Sequence, residues 1–208
     1  AVYSTAAVSW SPWVLIKMFA VGFFYDLVIA LQGLIPIALY LTFIPRKWFG
    51  KAWHRALLTG VIWFSSCLML LGGISEFFFW QEFQNRFNFI AVDYLIYTTE
   101  VMGNIRESYP VFPLLGLIAL MGALSTWLMS RYFLSWETEV NFKKRGSVLL
   151  LILLFPVIAL FAVDGKYKNI STNSYNNQLA GNGLYELFSA FRNNELDYEK
   201  FYRTIPDA

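Results

Sequence analysis

Four long apolar stretches constrain this chain more than any other feature of its sequence. They cover residues 27–45, 56–74, 111–134 and 147–163. The hydrocarbon core of a bilayer is about 30 Å thick, and a helix needs roughly 20 apolar residues to cross it. Because lipid offers the backbone no hydrogen-bond partner, each stretch is expected to be a helix. The sequence therefore predicts an all-α, polytopic membrane helix bundle with four visible spans.

The composition agrees with lipid as the solvent for much of the chain. Of the 208 residues, 57% are hydrophobic and only 14% are charged, whereas charged residues make up about a quarter of a typical soluble domain. The net charge of +2 gives no support to nucleic-acid binding. Membrane lipid, rather than nucleic acid, is the partner that this composition predicts.

The positions of Lys and Arg predict the orientation of the spans. Residues 46–55 hold four of these cations and no acid, and residues 143–145 are three consecutive cations. Short basic loops lie in the cytoplasm, so 75–110 and the tail after 164 are expected outside. Four spans and an external tail require an external residue 1. A cytoplasmic start would need a fifth span upstream of Ala1, and we expect such a span to be missing.

Residues 1–25 are apolar but interrupted by Pro12 and Lys17, and Asp26 follows directly. Two interpretations stay open: the remnant of an earlier span, or an interfacial lead-in. Charges inside a bilayer are costly and are often functional. Snorkelling at the edge of the first span is the ordinary explanation. Asp26 is retained as a candidate functional residue.

The segment 75–110 combines many aromatic residues with many charges. Phe79, Phe83, Phe87 and Ile90 recur at helical spacing, and a second face carries charged and polar residues if the helix runs on. This pattern predicts a helix lying in the membrane interface. It is either a plain surface helix or one that holds a lipid head group or orients an attached domain. The candidate residues for the second role are Asp26, Glu76, Arg86, Asp93, Glu100 and Arg106.

The tail after Asp164 changes to polar composition. Residues 165–178 read as a hydrophilic linker without an apolar period. Leu184, Leu187, Phe188 and Phe191 then follow helical spacing, with Asn182 available as the N-cap. A second helix is predicted over 194–205. Both apolar faces are expected to dock on the membrane surface, on the segment 75–110, or on a following domain.

The side chains that most catalytic centres require are scarce. His54 is the single histidine and is expected in the basic loop; Cys67 is the single cysteine. One histidine cannot supply a bis-histidine haem or a histidine-rich zinc site. No Gly-rich phosphate loop or GxSxG sequence is present. The spacing of Asp93, Glu100 and Glu107 separates neighbours by about 10 Å on a helix, too far to share one ion. We predict no catalytic or metal-binding residue in this chain.

Three runs carry a resemblance to a known family. They are SEFFFWQEFQNRFNFIAVDYLIYTTEVMGNIRESYP at 75–110, LAGNGLYELFSAFRNNELDYEKFY at 179–202 and GFFYDLVIA at 22–30. With the span layout, they resemble the membrane half of bacterial lipoteichoic acid synthase-like proteins, the phosphoglycerol transferase group. The resemblance covers nearly the whole chain, and 75–110 is its most specific part.

The resemblance implies a membrane anchor for a transferase of the cell envelope. In that family about five spans precede an extracytoplasmic domain of the alkaline phosphatase and sulfatase superfamily. That domain transfers a phosphoglycerol-type group from lipid through a Thr or Ser nucleophile beside a divalent metal such as Mn or Mg. This sequence lacks the first span and the catalytic domain, so the family's metal and nucleophile residues match no position in it.

The implied organisation has two parts. Residues 1–164 form a transmembrane bundle with the external segment 75–110, and residues 165–208 form a linker and coupling helices that lead to the catalytic domain. The implied partners are membrane lipid, that catalytic domain and a second copy of the chain. The implied location is the bacterial cytoplasmic membrane.

Three other functions stay open. A phosphoethanolamine transferase would share the architecture. A small transporter or channel subunit would use Pro36 and Pro156 to break its helices, although the spans contain few polar residues beyond Gln32. A purely structural subunit of a membrane complex is the third.

Overall fold

The computed structural model describes residues 10–132 and 140–192, and every regular element in these ranges is helical. The all-α prediction is therefore confirmed for the described part of the chain. In chain order the α-helices are α1 Pro12–Phe43, α2 Ala52–Phe83, α3 Phe89–Ile96, α4 Thr98–Ser108, α5 Val111–Tyr132, α6 Phe142–Ala162, α7 Ser174–Ala180 and α8 Gly183–Arg192. Two short 3-10 helices cover Arg46–Trp48 and Gly165–Lys168.

Three of these helices, α1, α2 and α5, are long and apolar enough to cross a membrane. They contain the first three predicted spans, apart from residues at their ends, so the chain has the helices of a membrane protein. Most of the fourth predicted span lies in α6, which has 21 residues. The fourth span and a closed bundle stay predictions.

Helix α1 includes the lead-in that the sequence left open. It runs for 32 residues, with Pro12 in its first turn and Pro36 inside it. Proline is tolerated in the first turn because that N–H has no partner within the helix. Lys17 and Asp26 are therefore residues of the same helix as the first predicted span. At a rise of about 1.5 Å per residue, α1 measures about 48 Å and exceeds the hydrocarbon core.

The long helices pack as two pairs. Helix α1 lies along α6, and α2 lies along α5. The second pair approaches closely at Gly122, where an added Cβ would lie 2.5 Å from Cys67 Sγ. The indole N–H of Trp63 also donates to the carbonyl of Ala119, at 3.2 Å. Small residues allow such close approach between membrane helices.

An aromatic cluster joins α1, the first 3-10 helix and α2 at their basic end. His54 is only 1% exposed, and its Nδ1 is hydrogen-bonded to the Tyr40 hydroxyl at 2.9 Å. The rings of Phe49 and Trp53 lie 5.0 and 5.8 Å from the His54 ring. The placement of His54 in a loop is therefore wrong: it lies in the first turn of α2, and aromatic packing buries it.

Arg145 fixes the start of α6 against the end of α1. Its Nη1 donates to the carbonyls of Leu41 and Ile44, both at 2.9 Å. Its guanidinium also lies 5.3 Å from the Phe49 ring centre. A cation at the C-terminus of a helix satisfies carbonyls that lack a partner within the helix.

The segment 75–110 is not one continuous helix. Its first nine residues complete α2, and the next residue, Gln84, caps that helix in the left-handed conformation, with φ 54°. Helix α3 then begins behind Asn88, whose side chain accepts from the Ile90 N–H at 2.9 Å. The proposed charged face of a single helix is therefore wrong, because its residues are divided between a turn, α3 and α4.

Candidate functional site

The described part of the tail docks on α1 and α3 and contacts Glu76 near the C-terminal end of α2. Helix α7 packs on α1, and α8 packs on α3 and α1. The sequence predicted that the tail docks on the membrane surface, on the segment 75–110 or on a following domain. Because α3 belongs to the segment 75–110, docking on that segment is confirmed. The predicted second tail helix, 194–205, lies outside the described residues.

Arg86 is the central contact between the tail and the membrane helices. Its Nε donates to the Gln178 carbonyl at 2.6 Å, and its Nη2 donates to the Leu179 carbonyl at 3.2 Å. Its Nη1 forms an ion pair with the carboxylate of Glu76. One guanidinium thus holds the end of α7 and the C-terminal part of α2 together, using the planar fork of donors that lysine lacks.

Glu76 also contacts the first residue of α8. Gly183 is buried, and an added Cβ there would overlap the Glu76 carboxylate. A carboxylate near the start of a helix is favourable, because the helix dipole is positive there. Glu76 therefore stabilises the Arg86 contact and the start of α8 together. We call Glu76, Arg86, Gln178, Leu179 and Gly183 the latch.

Asp26 adds a second polar contact to the same helix end. Its Oδ1 accepts from the Asn182 Nδ2 at 2.7 Å. The Asn182 Oδ1 accepts from the Tyr185 N–H at 2.9 Å, as expected for an N-cap. The predicted helix and its N-cap are confirmed. Asp26 thus joins α1 to α8, while Glu76 joins α2 to α8.

Two tyrosines fill the space between α1 and the tail. Tyr25 has no exposed surface, and its hydroxyl donates to the Asp164 carbonyl at 2.7 Å. The Tyr185 ring lies 4.7 Å from the Tyr25 ring, and its hydroxyl donates to the Val163 carbonyl at 3.0 Å. Burial raises the pKa of the Tyr185 phenol above its ordinary value. Tyr185 is therefore a neutral donor at physiological pH.

Residues 165–178 are more ordered than the predicted linker. Asn173 caps α7 by accepting from the Tyr175 and Asn176 N–H groups. Asn177 and Ser171 exchange three hydrogen bonds, at 2.8, 3.0 and 3.4 Å. Short polar side chains often fold a loop in this way by bonding to nearby backbone. Apolar residues do not recur at helical spacing in this stretch, so its asparagines were the only sequence feature that indicated an ordered loop.

Two of the remaining predicted residues, Arg106 and Asp93, do not join the latch. Arg106 is exposed on α4, with its guanidinium 5.8 Å from the Phe112 ring centre. Asp93 is half-buried on α3 and belongs to none of the ion pairs of the described residues. The side chain of Glu100 lies outside the described part. Of the six predicted residues, Glu76, Arg86 and Asp26 therefore contact the tail or its latch.

Sequence reasoning missed an ion pair within the tail. Lys168 Nζ lies 2.8 Å from Glu186 Oε1, and both side chains are largely buried. This pair joins the second 3-10 helix to α8. The two residues lie far apart in the polar tail, and no helical spacing relates them.

The latch joins the tail to the long helices through paired polar groups. Within the described ranges, no group of three or more His, Cys, Asp or Glu residues could hold a metal ion. The polar groups of the latch pair with one another and with backbone carbonyls.

The sequence matches no family model. No curated protein and no solved structure is significantly similar to the chain.

Proposed function

We propose that the chain is the membrane anchor and lipid-facing scaffold of a phosphoglycerol-type transferase of the bacterial cell envelope. The proposed protein lies in the cytoplasmic membrane with four spans in this chain, a fifth before them, and its tail outside. A catalytic domain of the sulfatase superfamily follows the tail. The family resemblance supplies the reaction class, and the contacts of the tail support the coupling function.

The observation that carries the proposal is the latch. A hydrophilic connector would leave a following domain free to move relative to the membrane. Here the Arg86 contacts, the Glu76–Gly183 approach and the Asp26–Asn182 hydrogen bond hold the tail to α1 and α2. A domain attached after α8 would therefore start from a defined position above the bilayer.

The charge pairing favours domain orientation over direct head-group binding by Arg86. A free guanidinium is a strong ligand for phosphate. In this chain Glu76 neutralises Arg86, and the carbonyls of Gln178 and Leu179 use its other donors. Arg86 would have to leave the latch to bind a phosphate.

The divalent metal belongs to the proposed catalytic domain. The described residues offer no cluster of carboxylate, imidazole or thiolate ligands for it. Membrane lipid supplies the substrate, and a second copy of the chain is a further possible partner. Catalysis in this proposal depends on the attached domain, and this chain controls where that domain meets lipid.

The direct test uses the protein purified from its native membrane. An intact mass well above 24.0 kDa would reveal a further domain. That protein should then release diacylglycerol from phosphatidylglycerol vesicles in the presence of Mn²⁺. Arg86→Gln should lower this rate by about tenfold to a hundredfold, since small misplacements of reacting groups have effects of that size. Lys166→Gln is the matched control, because its ion pair with Asp164 is long and exposed.

Other results would favour the other functions. Release of diacylglycerol from phosphatidylethanolamine alone would indicate a phosphoethanolamine transferase. Ion flux in liposomes, without transfer activity, would indicate a transporter or channel. A mass near 24.0 kDa with neither activity would contradict the proposal and leave the structural subunit.

A further inference from the structure

Seven cations lie at the end of the long helices that is farther from the latch. Residues 46–55 hold four of them and residues 143–145 hold three, and neither range contains an acid. The first range connects α1 to α2, and the second begins α6, which lies along α1. The proposed coupling function uses none of these cations.

The ring of Phe49 brings the two basic ranges together. The Arg145 guanidinium lies 5.3 Å from its centre, and the ring of His54, in the first turn of α2, lies 5.0 Å from it. The rings of Phe43 and Phe142, 6.2 Å apart, join the end of α1 to the start of α6. The remaining cations of the two ranges therefore lie on one side of the molecule. We call the following five residues the basic surface: Lys47, Lys51, Arg55, Lys143 and Lys144.

The basic surface is exposed and keeps its positive charge. All five side chains are exposed, and none of them forms an ion pair within residues 10–132 and 140–192. The nearest acids in the sequence, Glu137 and Glu139, lie outside the described residues, and the five cations outnumber them. A cation excess of this kind attracts an anion from outside the chain.

Two helix ends add to this positive potential. Lys51 directly precedes α2, Lys143 and Lys144 lie in the first turn of α6, and neither first turn contains an acid. The helix dipole is positive at this end, so cations there are unfavourable. A bound anion would relieve the repulsion at both helices.

Aromatic side chains place the basic surface at the depth of lipid head groups. Trp48 and Trp53 are exposed, and their rings lie 5.3 Å apart. Phe43 and Phe142 are exposed beside them. Trp is enriched where a membrane meets water. A phospholipid would pair its phosphate with the cations and its acyl chains with the rings, whereas a free phosphate would leave the rings without a partner.

We infer that the basic surface binds a phospholipid head group with two phosphates, in the leaflet at this end of the helices. Its cations belong to two elements: Lys47 and Lys51 lie between α1 and α2, and Lys143 and Lys144 lie in α6. Two phosphates on one short linker match this division better than a single phosphate does. Basic sites between membrane helices are suited to such head groups. The bound lipid would join the α1–α6 pair to the start of α2. This inference does not depend on the transferase function.

The test uses the whole chain in phosphatidylcholine nanodiscs that contain cardiolipin, a lipid with two phosphates in its head group. Native mass spectrometry counts the cardiolipin retained on the protein, and a titration gives the apparent affinity. Lys47→Gln with Lys51→Gln removes two charges from one side of the basic surface. Lys143→Gln with Lys144→Gln removes two from the other side.

The matched control is Lys166→Gln with Arg192→Gln, which removes two exposed charges from the tail. Each variant of the basic surface should weaken cardiolipin binding by about tenfold to thirtyfold, because one cation near an anionic lipid contributes roughly a factor of five. The control should bind within about twofold of the wild type. In phosphatidylcholine alone, no variant should unfold at a lower temperature than the wild type, since exposed charges contribute little to stability.

The inference is overturned if cardiolipin is retained no better than phosphatidylcholine, or if the control loses as much binding as the variants of the basic surface. Loss confined to one of the two lysine pairs would also overturn it, because one head group would then not bridge them. Phosphatidylserine at twice the mole fraction supplies the same charge and should be retained less. Equal retention would contradict a head group with two phosphates. Displacement by inorganic phosphate, but not by sodium chloride of equal ionic strength, would indicate a site for free phosphate instead.

Discussion

Gly183 lies against Glu76 so closely that a Cβ at position 183 would overlap the carboxylate. The contact joins the first residue of α8 to a residue near the end of α2, more than a hundred positions earlier in the chain. Glu76 cannot easily retreat, because Arg86 holds its carboxylate.

Gly183→Ala should therefore loosen the tail. Accommodating the methyl group requires a shift of Glu76 or of α8, and such overpacking costs about 1–3 kcal/mol. Hydrogen exchange of residues 183–192 should become faster. Gly73→Ala is the matched control: it lies in α2 with nothing within 4 Å of the added Cβ, and alanine favours a helix there. Equal exchange in the two variants would contradict the close contact.

The Arg86–Glu76 pair should show energetic coupling in a double-mutant cycle. We expect Arg86→Gln and Glu76→Gln each to destabilise the tail, with a coupling energy of about 1–2 kcal/mol, within the range for contacting residues in one network. The measurement is the free energy of tail opening from hydrogen exchange. Lys166→Gln should change it by less than about 0.5 kcal/mol, as exposed pairs do, since Lys166 and Asp164 are 82% and 54% exposed. Additive effects at positions 86 and 76 would argue against the latch.

The packing of α2 on α5 can be tested with a destabilising substitution and a second substitution that restores the lost stability. In Gly122→Ala, the new Cβ would lie only 2.5 Å from Cys67 Sγ, which is too close. Its next neighbours, Trp63 Nε1 at 3.5 Å and the Cys67 backbone N at 3.6 Å, are at ordinary van der Waals distances. Gly122→Ala should thus lower the thermal unfolding temperature, and adding Cys67→Ala should restore most of the loss, because it removes the sulfur. Gly116→Ala, on the same helix with open space around it, should have little effect. A double variant as unstable as Gly122→Ala alone would exclude this explanation.

Docking of α8 should weaken in alkali through Tyr185. Burial raises its pKa in the folded state, so the unfolded tail loses the phenolic proton first as pH rises. Stability from this residue is complete below the ordinary tyrosine pKa of about 10 and falls as pH rises through the folded pKa. The phenolate also cannot donate to the Val163 carbonyl. In Tyr185→Phe, the tail should open more readily at pH 8 than in the wild type. Between pH 8 and pH 11, the variant should lose less docking stability than the wild type loses. Parallel profiles would contradict this role.

The sequence was informative where apolar periodicity and local capping determine the structure. The length of the apolar stretches anticipated the long helices, and Asn182 before an apolar face anticipated the start of α8. The break of 75–110 was not anticipated, because Gln84 gives no sign in its side chain that it will adopt a positive φ. Continuity of spacing therefore overstated the length of that helix.

The latch was only partly predictable, for a different reason. Its charged members, Arg86 and Glu76, stood out as charges beside apolar residues. Their partners are the backbone carbonyls of Gln178 and Leu179 and the missing side chain of Gly183. Carbonyls occur at every residue and carry no sequence signal. Only the fold reveals which of them lie near Arg86.

The most direct test of the coupling account is a cross-link between Asp26 and Asn182. In a Cys67→Ala background, Asp26→Cys and Asn182→Cys are combined, and membranes are treated with a short methanethiosulfonate cross-linker. Because Asp26 Oδ1 and Asn182 Nδ2 lie 2.7 Å apart, the account predicts rapid intramolecular cross-linking, which the added Arg86→Gln change slows. No cross-link in the pair with Arg86 intact would contradict docking of the tail on the membrane helices.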